Sequence, residues 1–264
     1  MSEAAALDTK AHHPAGREAD PAHMFKHAGV PYVEFMSFAM KTLGTRAYFE
    51  IGTRKGLSLA GVTCRSVSVD PAFLISTDVI GAKPVCMFFQ IPSDRFFEDY
   101  NLTQLLGGPV ECAFLDGFHV FEFLLRDFMN TEKHCKKNSI LFLHDCLPRT
   151  PQMARRRSRP VRVAGQPPAG AGGWAGDVWK VVPILRKYRP DLKIHALDCP
   201  PSGLVMITGL DPGNRVLDDN YFEIAAEFKE AANDVPQLEA FAKSVDLVAT
   251  RDIQDLYDFG KFSW

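Results

Sequence analysis

The chain has 264 residues, of which 46% are hydrophobic and 23% charged, as is typical of a globular protein with a sizeable core. Its formal net charge of -2 excludes the strongly basic balance of a general nucleic-acid binder, so no nucleic-acid partner is expected. No apolar run approaches the ~18 residues needed for a membrane span, and the first 20 residues lack the apolar region of a secretory signal. We therefore expect a soluble, cytoplasmic protein in which residues 1–24 form a flexible leader.

From residue 46 onward, short apolar runs alternate with longer stretches that fit helices. Five of these runs predict strands, at 46–52, 66–70, 84–90, 110–116 and 139–145. Because each run is short, almost wholly apolar and followed by a crossover, the five strands indicate a parallel sheet covered on both faces. Helices are predicted at 33–43, 57–64, 95–106, 120–133, 221–243 and 253–257.

The end of the predicted sheet has a different connection. Strands are predicted at 192–197 and 203–208, and the five residues between them are too few for a parallel crossover, so the pair should form an antiparallel hairpin. The sequence therefore predicts an α/β fold, a Rossmann-like three-layer sandwich whose mostly parallel seven-stranded sheet ends in an antiparallel hairpin.

Three regions are expected from these elements. Residues 25–214 would form the core domain, and residues 149–176, rich in Pro, Gly and Arg, would form a mobile lid loop within it. Residues 215–264 would form a helical appendage. The sequence leaves open whether this appendage is a cap or a surface for contact between copies of a homo-oligomer.

The strongest local motif follows the first strand, in the turn Glu50-Ile-Gly52-Thr-Arg-Lys-Gly56-Leu-Ser58. A glycine-containing turn between a strand and a helix lets a ligand approach the backbone closely. With two glycines four apart, and Leu where a P-loop has Lys, the turn matches neither a dinucleotide fingerprint nor a P-loop. S-adenosylmethionine (SAM) has no phosphate, and its cationic amino acid part suits an acidic residue here. Asp70, at the end of the second strand, is placed to bind both ribose hydroxyls.

These features resemble class I SAM-dependent methyltransferases, and more narrowly the Methyltransferase_24 group, over about residues 35–210. Besides the first motif, the resemblance rests on Asp116-Gly117-x-His119, Arg126-Asp127, His144-Asp145-Cys146-Leu147-Pro148 and Gly176-Asp177-Val178-Trp179-Lys180. It implies that SAM is held by residues of the turn and of the next two strands, with Asp94 at the adenine and Asp116 near the methionine amino group and the methyl. The cofactor residues expected are Glu50, Gly52, Gly56, Ser58, Asp70, Asp94 and Asp116.

A second group of polar residues, Asp116, His119, His144 and Asp145, follows the fourth and fifth strands, where ligands bind in such sheets. In one interpretation His119, with Asp116 and Asp145, forms the catalytic set and acts as general base on an acceptor hydroxyl. In another, Asp116, His144 and Asp145 bind Mg²⁺ or another divalent ion that orients the acceptor oxygens. Phe118 and His144 stand where related metal enzymes often carry acidic residues, which disfavours Mg²⁺. In a third, His144 and Asp145 only cap the strand.

The acceptor pocket is the least specified part of the sequence. Trp174, Asp177 and Trp179 are expected to close it around a sugar or an aromatic ring, although Trp179 equally fits a core position on a helix that packs against the sheet. An arginine cluster precedes them and either binds an anionic group of the acceptor or is a solvated charge run. Its members are Arg155, Arg156, Arg157, Arg159 and Arg162.

The sequence thus predicts a SAM-dependent methyltransferase (EC 2.1.1 class), with O-methylation of a hydroxyl on a small molecule or sugar/glycan as the leading interpretation. An N- or C-methyltransferase, or a SAM-binding module without catalysis, are the alternatives. A nicotinamide-dependent oxidoreductase is disfavoured because the turn has too few glycines.

Overall fold

A single mixed sheet of eight strands organises the structure, a computed structural model that describes residues 24–156, 173–230 and 235–262. The strands are β1 (Ala47–Ile51), β2 (Arg65–Val69), β3 (Cys86–Phe89), β4 (Val110–Leu115), β5 (Cys135–His144), β6 (Lys193–Leu197), β7 (Leu204–Thr208) and β8 (Leu247–Val248). Their spatial order is β3-β2-β1-β4-β5-β7-β6-β8. After β3 the chain crosses back over β1 to add β4 on its other side. This leaves a topological switch point between β1 and β4, where ligands bind in open α/β sheets.

The strand directions confirm the predicted α/β class. β1 to β5 pair in parallel, and β7 lies antiparallel between β5 and β6, which confirms the hairpin. The predicted count of seven strands was one too few. Leu247 and Val248, between the two helices expected in the C-terminal appendage, pair in parallel with β6.

The helices are α1 (Tyr32–Thr42), α2 (Leu57–Ala60), α3 (Ser93–Asp99), α4 (Leu102–Leu106), α5 (Phe121–Glu132), α6 (Val181–Tyr188), α7 (Val216–Asp219), α8 (Tyr221–Glu230), α9 (Val235–Lys243) and α10 (Leu256–Gly260). The single helix predicted at 95–106 is divided into α3 and α4. Tyr100 is extended, and the Asn101 side chain caps α4 by accepting from the Gln104 amide at 3.0 Å. Of the helix predicted at 221–243, residues 231–234 lie outside the described residues.

Alternation along the strands builds the two outer layers. Ala113 and Leu115 of β4 face a core formed with α3 to α9, whereas Cys112 and Phe114 face a second core formed with α1, α2 and α10. Since successive side chains of a strand point to opposite faces, this alternation gives the predicted three-layer sandwich.

A buried ion pair joins α5 to the end of α6. Arg189, of which 1% is exposed, donates to both carboxylate oxygens of Glu132 at 2.6 and 2.9 Å. Glu132 also accepts from the Asp211 amide at 3.0 Å. The pair is therefore fully hydrogen-bonded, as a buried charge requires.

The two ends of the predicted lid loop meet. The carbonyl oxygen of Met153 accepts from the amides of Ala175 and Gly176 at 3.0 and 3.1 Å, and the Trp174 indole donates to the Arg155 carbonyl at 2.7 Å. Residues 157–172, the middle of this loop with Arg157, Arg159 and Arg162, lie outside the described residues, as do residues 1–23 of the expected leader. Among the helices that are described, none has the length and apolar character needed to span a bilayer.

Candidate active site

Gly52 lets the carboxyl ends of β1 and β4 approach each other closely. Its φ is +87°, and a Cβ at this position would collide with the carbonyl oxygen of Asp116. Gly56, with φ of +82°, starts α2, and a Cβ there would collide with the side chain of Val79. The two glycines of the motif are therefore fixed by sterics, because only glycine fits both the conformation and the space.

Asp70 holds the same turn from the end of β2. One carboxylate oxygen accepts from the Arg54 amide at 2.7 Å and the other from the Ala72 amide at 2.7 Å. Each oxygen keeps a further acceptor site, so the carboxylate remains able to accept from the hydroxyls of a ligand.

A cavity of about 710 Å³ opens above this switch point. Five of the seven predicted cofactor residues line it, together with His119; the five are Gly52, Ser58, Asp70, Asp94 and Asp116. The turn contributes backbone and hydroxyl groups to the cavity. The rim of the cavity is apolar, with Leu57, Leu74 and Phe118 more than half exposed. A pocket of this volume, apolar with a few convergent polar groups, has the character of a small-molecule site.

Glu50 lies beneath the cavity. Its side chain is fully buried, and one carboxylate oxygen accepts from the Tyr48 hydroxyl at 2.6 Å. Burial raises the pKa of Glu50, and the Tyr48 hydrogen bond opposes that rise. Glu50 and Gly56, both predicted as cofactor residues, are not among the residues that line the cavity. The turn above Glu50 therefore separates its carboxyl group from a ligand in the cavity.

The predicted catalytic and metal residues converge, as expected from their positions on neighbouring strands. His119 Nε2 lies 3.2 Å from Asp116 Oδ1, and His119 Nδ1 lies 3.3 Å from Asp145 Oδ2. His144 Nδ1 lies 3.2 Å from the same Asp116 oxygen and 3.6 Å from Asp145 Oδ1. His119 Nδ1 also lies 3.0 Å from the carbonyl oxygen of Trp174. Both nitrogens of His119 thus face acceptors.

This arrangement sets the charge of the cluster. Burial alone would lower the pKa of His119, but the hydrogen bond to Asp116 and the charges of Asp116 and Asp145 raise it to about 9. The pKa of His144 is raised by the same carboxylates against its own burial. Conversely, although desolvation opposes it, the two imidazoles hold the pKa of the partly buried Asp116 well below its usual range. In the free protein His119 is therefore an imidazolium at neutral pH, where the sequence suggested an ordinary value.

Asp145 carries a strained backbone at the end of β5. Its φ is +59°, in the left-handed region that residues other than glycine rarely adopt. Such a conformation costs on the order of 1–3 kcal/mol and is concentrated at functional sites.

Tyr32, which the sequence did not indicate, packs its ring 4.2 Å from that of His144 and lines the cavity. Only tertiary packing brings this residue of α1 to the site.

The donors present suit some divalent ions better than others. Ligand atoms of Asp116, His144 and Asp145 lie within 4.8 Å of one another, so the three residues can reach one ion. A set of one imidazole and two carboxylates fits ions such as Mn²⁺ or Zn²⁺ better than Mg²⁺, which prefers oxygen ligands. His119 also contacts both carboxylates, so an ion would share them with this imidazole.

The three predicted acceptor residues occupy different environments. The Trp174 ring lies beside His119, with ring centroids 5.1 Å apart. Trp179 is buried against Phe241 and does not line the cavity, which favours its alternative interpretation as a core residue. Asp177 is fully buried and accepts from the Phe121 amide at 3.0 Å, at the start of α5.

Arg156 has an internal role in the described part of the lid. It donates to both oxygens of Glu122 at 2.8 and 2.9 Å and to Asp177 at 2.8 Å. These bonds tie the start of the loop to α5 and to the buried carboxylate of Asp177. Its guanidinium is therefore committed to the fold and not to an anionic acceptor.

No protein-family model matches this sequence, and no curated protein does. Among solved structures, the chain is similar to a methyltransferase of Podospora anserina bound to S-adenosylhomocysteine (SAH), at 13% identity and a TM-score of 0.45, over 68% of this chain and 78% of that one. It is also similar to an O-methyltransferase from Bacillus cereus in complex with SAH, at 12% identity and a TM-score of 0.43, over 66% and 79%. A third is the O-methyltransferase TomG of Streptomyces achromogenes, involved in tomaymycin synthesis and bound to SAM. The identity is 12% and the TM-score 0.42, over 68% of this chain and 79% of that one. Function is therefore inferred from the geometry of the site.

Proposed function

We propose that this chain is a class I SAM-dependent methyltransferase, nearest in its motifs to the Methyltransferase_24 group, that methylates a hydroxyl of a small molecule or glycan. The observation that carries the proposal is the composition of one cavity. At the β1/β4 switch point this cavity is lined by the turn at Gly52 and Ser58, by the carboxylates of Asp70 and Asp94, and by His119. Asp70 is the carboxylate suited to bind ribose hydroxyls.

The cofactor is assigned by what this site offers and lacks. The turn has two glycines and no P-loop lysine, so it is poorly suited to a pyrophosphate or triphosphate. Asp70 suits two ribose hydroxyls, and the carboxylates of Asp116 and, beneath the turn, Glu50 suit a ligand that carries positive charge. SAM combines a ribose, an amino group and a sulfonium without any phosphate. A volume of about 710 Å³ leaves room for an acceptor beside it.

SAM supplies an electrophilic methyl group, so the protein needs mainly to align the acceptor and take up its proton. His119 is the proposed base. Its Nδ1 is held by the Trp174 carbonyl at 3.0 Å, and its Nε2 would take up the proton once the acceptor hydroxyl replaces the 3.2 Å contact with Asp116. To accept a proton His119 must first be neutral. The carboxylates oppose this in the free protein, and a cationic cofactor beside the ring favours it by repulsion.

A divalent ion is the second component that a specific observation supports. Asp116, His144 and Asp145 place three ligand atoms within 4.8 Å of one another. An ion held there would lower the pKa of an acceptor hydroxyl. The test is calorimetric titration with Mn²⁺, in which Asp145→Asn should weaken binding. Binding that is unchanged by this substitution would remove the metal site.

Turnover tests the proposal itself. Purified protein is incubated with SAM and a panel of catechols, sugars, hydroxy acids and matched amines, with and without Mn²⁺, and SAH formation is measured. We expect SAH only with hydroxyl acceptors, and a loss of about 10²–10⁴-fold in kcat for His119→Gln. His134→Gln, a histidine paired with Thr103 away from the cavity, is the matched control.

Two other outcomes would point to the alternatives. Turnover with amine or carbon acceptors that survives His119→Gln would indicate an N- or C-methyltransferase. SAM binding without turnover on any acceptor would favour a SAM-binding module. Either result contradicts the proposed O-methylation.

A further inference from the structure

Asp94 is held in place by an arginine of the neighbouring helix. It lies in the first turn of α3 and lines the cavity. Arg126 of α5 donates from Nε to Asp94 Oδ1 at 2.8 Å and from Nη2 to Asp94 Oδ2 at 2.7 Å. This two-bond geometry fixes the plane of the carboxylate and compensates its charge.

The remaining nitrogen of Arg126 is held by the C-terminal region. Nη1 donates to the Tyr221 hydroxyl of α8 and to the Glu122 carbonyl at 3.4 Å. The Tyr221 hydroxyl in turn donates to the same carbonyl at 3.3 Å. The guanidinium also lies 4.4 Å above the Phe123 ring. Every nitrogen of Arg126 therefore has a partner, and Tyr221 supplies one of them.

This chain of contacts determines what Asp94 can recognise. A bare carboxylate attracts a cation, whereas one already paired with Arg126 favours a neutral hydrogen-bond donor. The 6-amino group of adenine is such a donor. If the Tyr221 hydroxyl were lost, Nη1 would keep only its longer bond to the Glu122 carbonyl. Arg126 would then have more rotamer freedom, and the orientation of Asp94 would be less defined.

We propose that Tyr221, on a helix outside the central sheet, is a positioning residue for the adenine of the cofactor and acts through Arg126 and Asp94. The inference rests on the proposed function, which places a SAM-type ligand in the cavity. It gives the C-terminal region a part in cofactor selection, in addition to its packing on the sheet.

The test compares two ligands that differ at one position of the base. Calorimetry measures the affinity of wild type and Tyr221→Phe for SAH and for its 6-deamino analogue, in which hydrogen replaces the 6-amino group. We expect Tyr221→Phe to bind SAH about threefold to tenfold more weakly, as for the loss of one hydrogen bond. Its affinity for the 6-deamino analogue should be unchanged. A generally loosened site would weaken both ligands alike.

Tyr188→Phe is the matched control. The Tyr188 hydroxyl donates to Glu227 of α8 at 2.8 Å, so this substitution removes another tether of the same helix without reaching Arg126. It should leave both affinities unchanged. Asp94→Asn should lose the same discrimination, and adding Tyr221→Phe to it should cost nothing further, since both act on one contact.

Three results would overturn the inference: equal SAH affinity in wild type and Tyr221→Phe, equal weakening of both ligands, or additive effects in the double variant. If wild type binds neither ligand, the proposed cofactor site is refuted, and this inference falls with it. Binding of SAH by wild type separates the two failures.

Discussion

Asp127 on α5 gives the protein a predictable dependence of stability on pH. Its side chain is buried, with 2% exposed, and it lies below the cavity floor, 3.1 Å from where a Cβ on Gly117 would stand. Burial raises the pKa of Asp127 to about 7; a hydrogen bond from Ser93 and the charge of Arg126 oppose the rise, and the charge of Asp94 adds to it. The native state therefore favours the protonated carboxyl.

Asp127 binds its proton more tightly in the native state than in the unfolded state. Between its ordinary pKa of 3.8 and about 7, Asp127 holds a proton in the native state that it has lost in the unfolded state. The free energy of unfolding therefore falls as pH rises through this window, and the contribution of Asp127 is fully present only below 3.8. A shift of about three pKa units corresponds to about 4 kcal/mol in total. From pH 5 to pH 8 the loss is about 3 kcal/mol.

Asp127→Asn tests this reasoning, because the amide keeps the shape of the protonated carboxyl and does not titrate. Urea unfolding of wild type and variant is followed by tryptophan fluorescence at pH 5, 6, 7 and 8. The variant should gain about 3 kcal/mol relative to wild type across this range, since other titrating groups cancel in the difference. Asp219→Asn, at an exposed aspartate of α7, is the control. A difference between Asp127→Asn and wild type that stays constant with pH would refute the account.

Gly52→Ala should abolish SAH binding in calorimetry and lower stability by about 1–3 kcal/mol, because its Cβ would collide with the Asp116 carbonyl. The opposite outcome, an alanine variant with wild-type affinity, would mean that the close approach is dispensable. Arg189→Met should lower the free energy of unfolding by about 3–5 kcal/mol in urea, because it leaves Glu132 buried and unpaired. Adding Glu132→Leu should restore most of that loss, and failure to do so would contradict the pairing argument.

Much of the fold follows from patterns that the sequence carries locally. The apolar runs of the seven longer strands, and the short gap at 198–202, were enough to predict the layers and the hairpin. The eighth strand has two residues, too few for any period to show. The break between α3 and α4 had a local signal, Asn101, whose side chain caps the second helix.

The residues of the candidate site could likewise be predicted only in part. Residues at strand ends, such as Asp70 and Asp116, could be placed because parallel strands bring their carboxyl ends to one edge. Tyr32 and Tyr221 belong to flanking helices, and no periodicity shows which residue of a helix reaches a neighbouring arginine or histidine. The charge of His119 also depends on tertiary contacts, since it is set by two carboxylates that the fold brings within 3.3 Å.

Calorimetric titration of the purified protein with SAH tests the central claim, that the β1/β4 cavity binds a SAM-type cofactor, most directly. We expect one site of micromolar affinity, lost in Asp70→Ala and retained in Asp218→Ala, because Asp70 lines the cavity and Asp218 does not. No binding, or binding that survives Asp70→Ala, would contradict the assignment of this cavity to the cofactor.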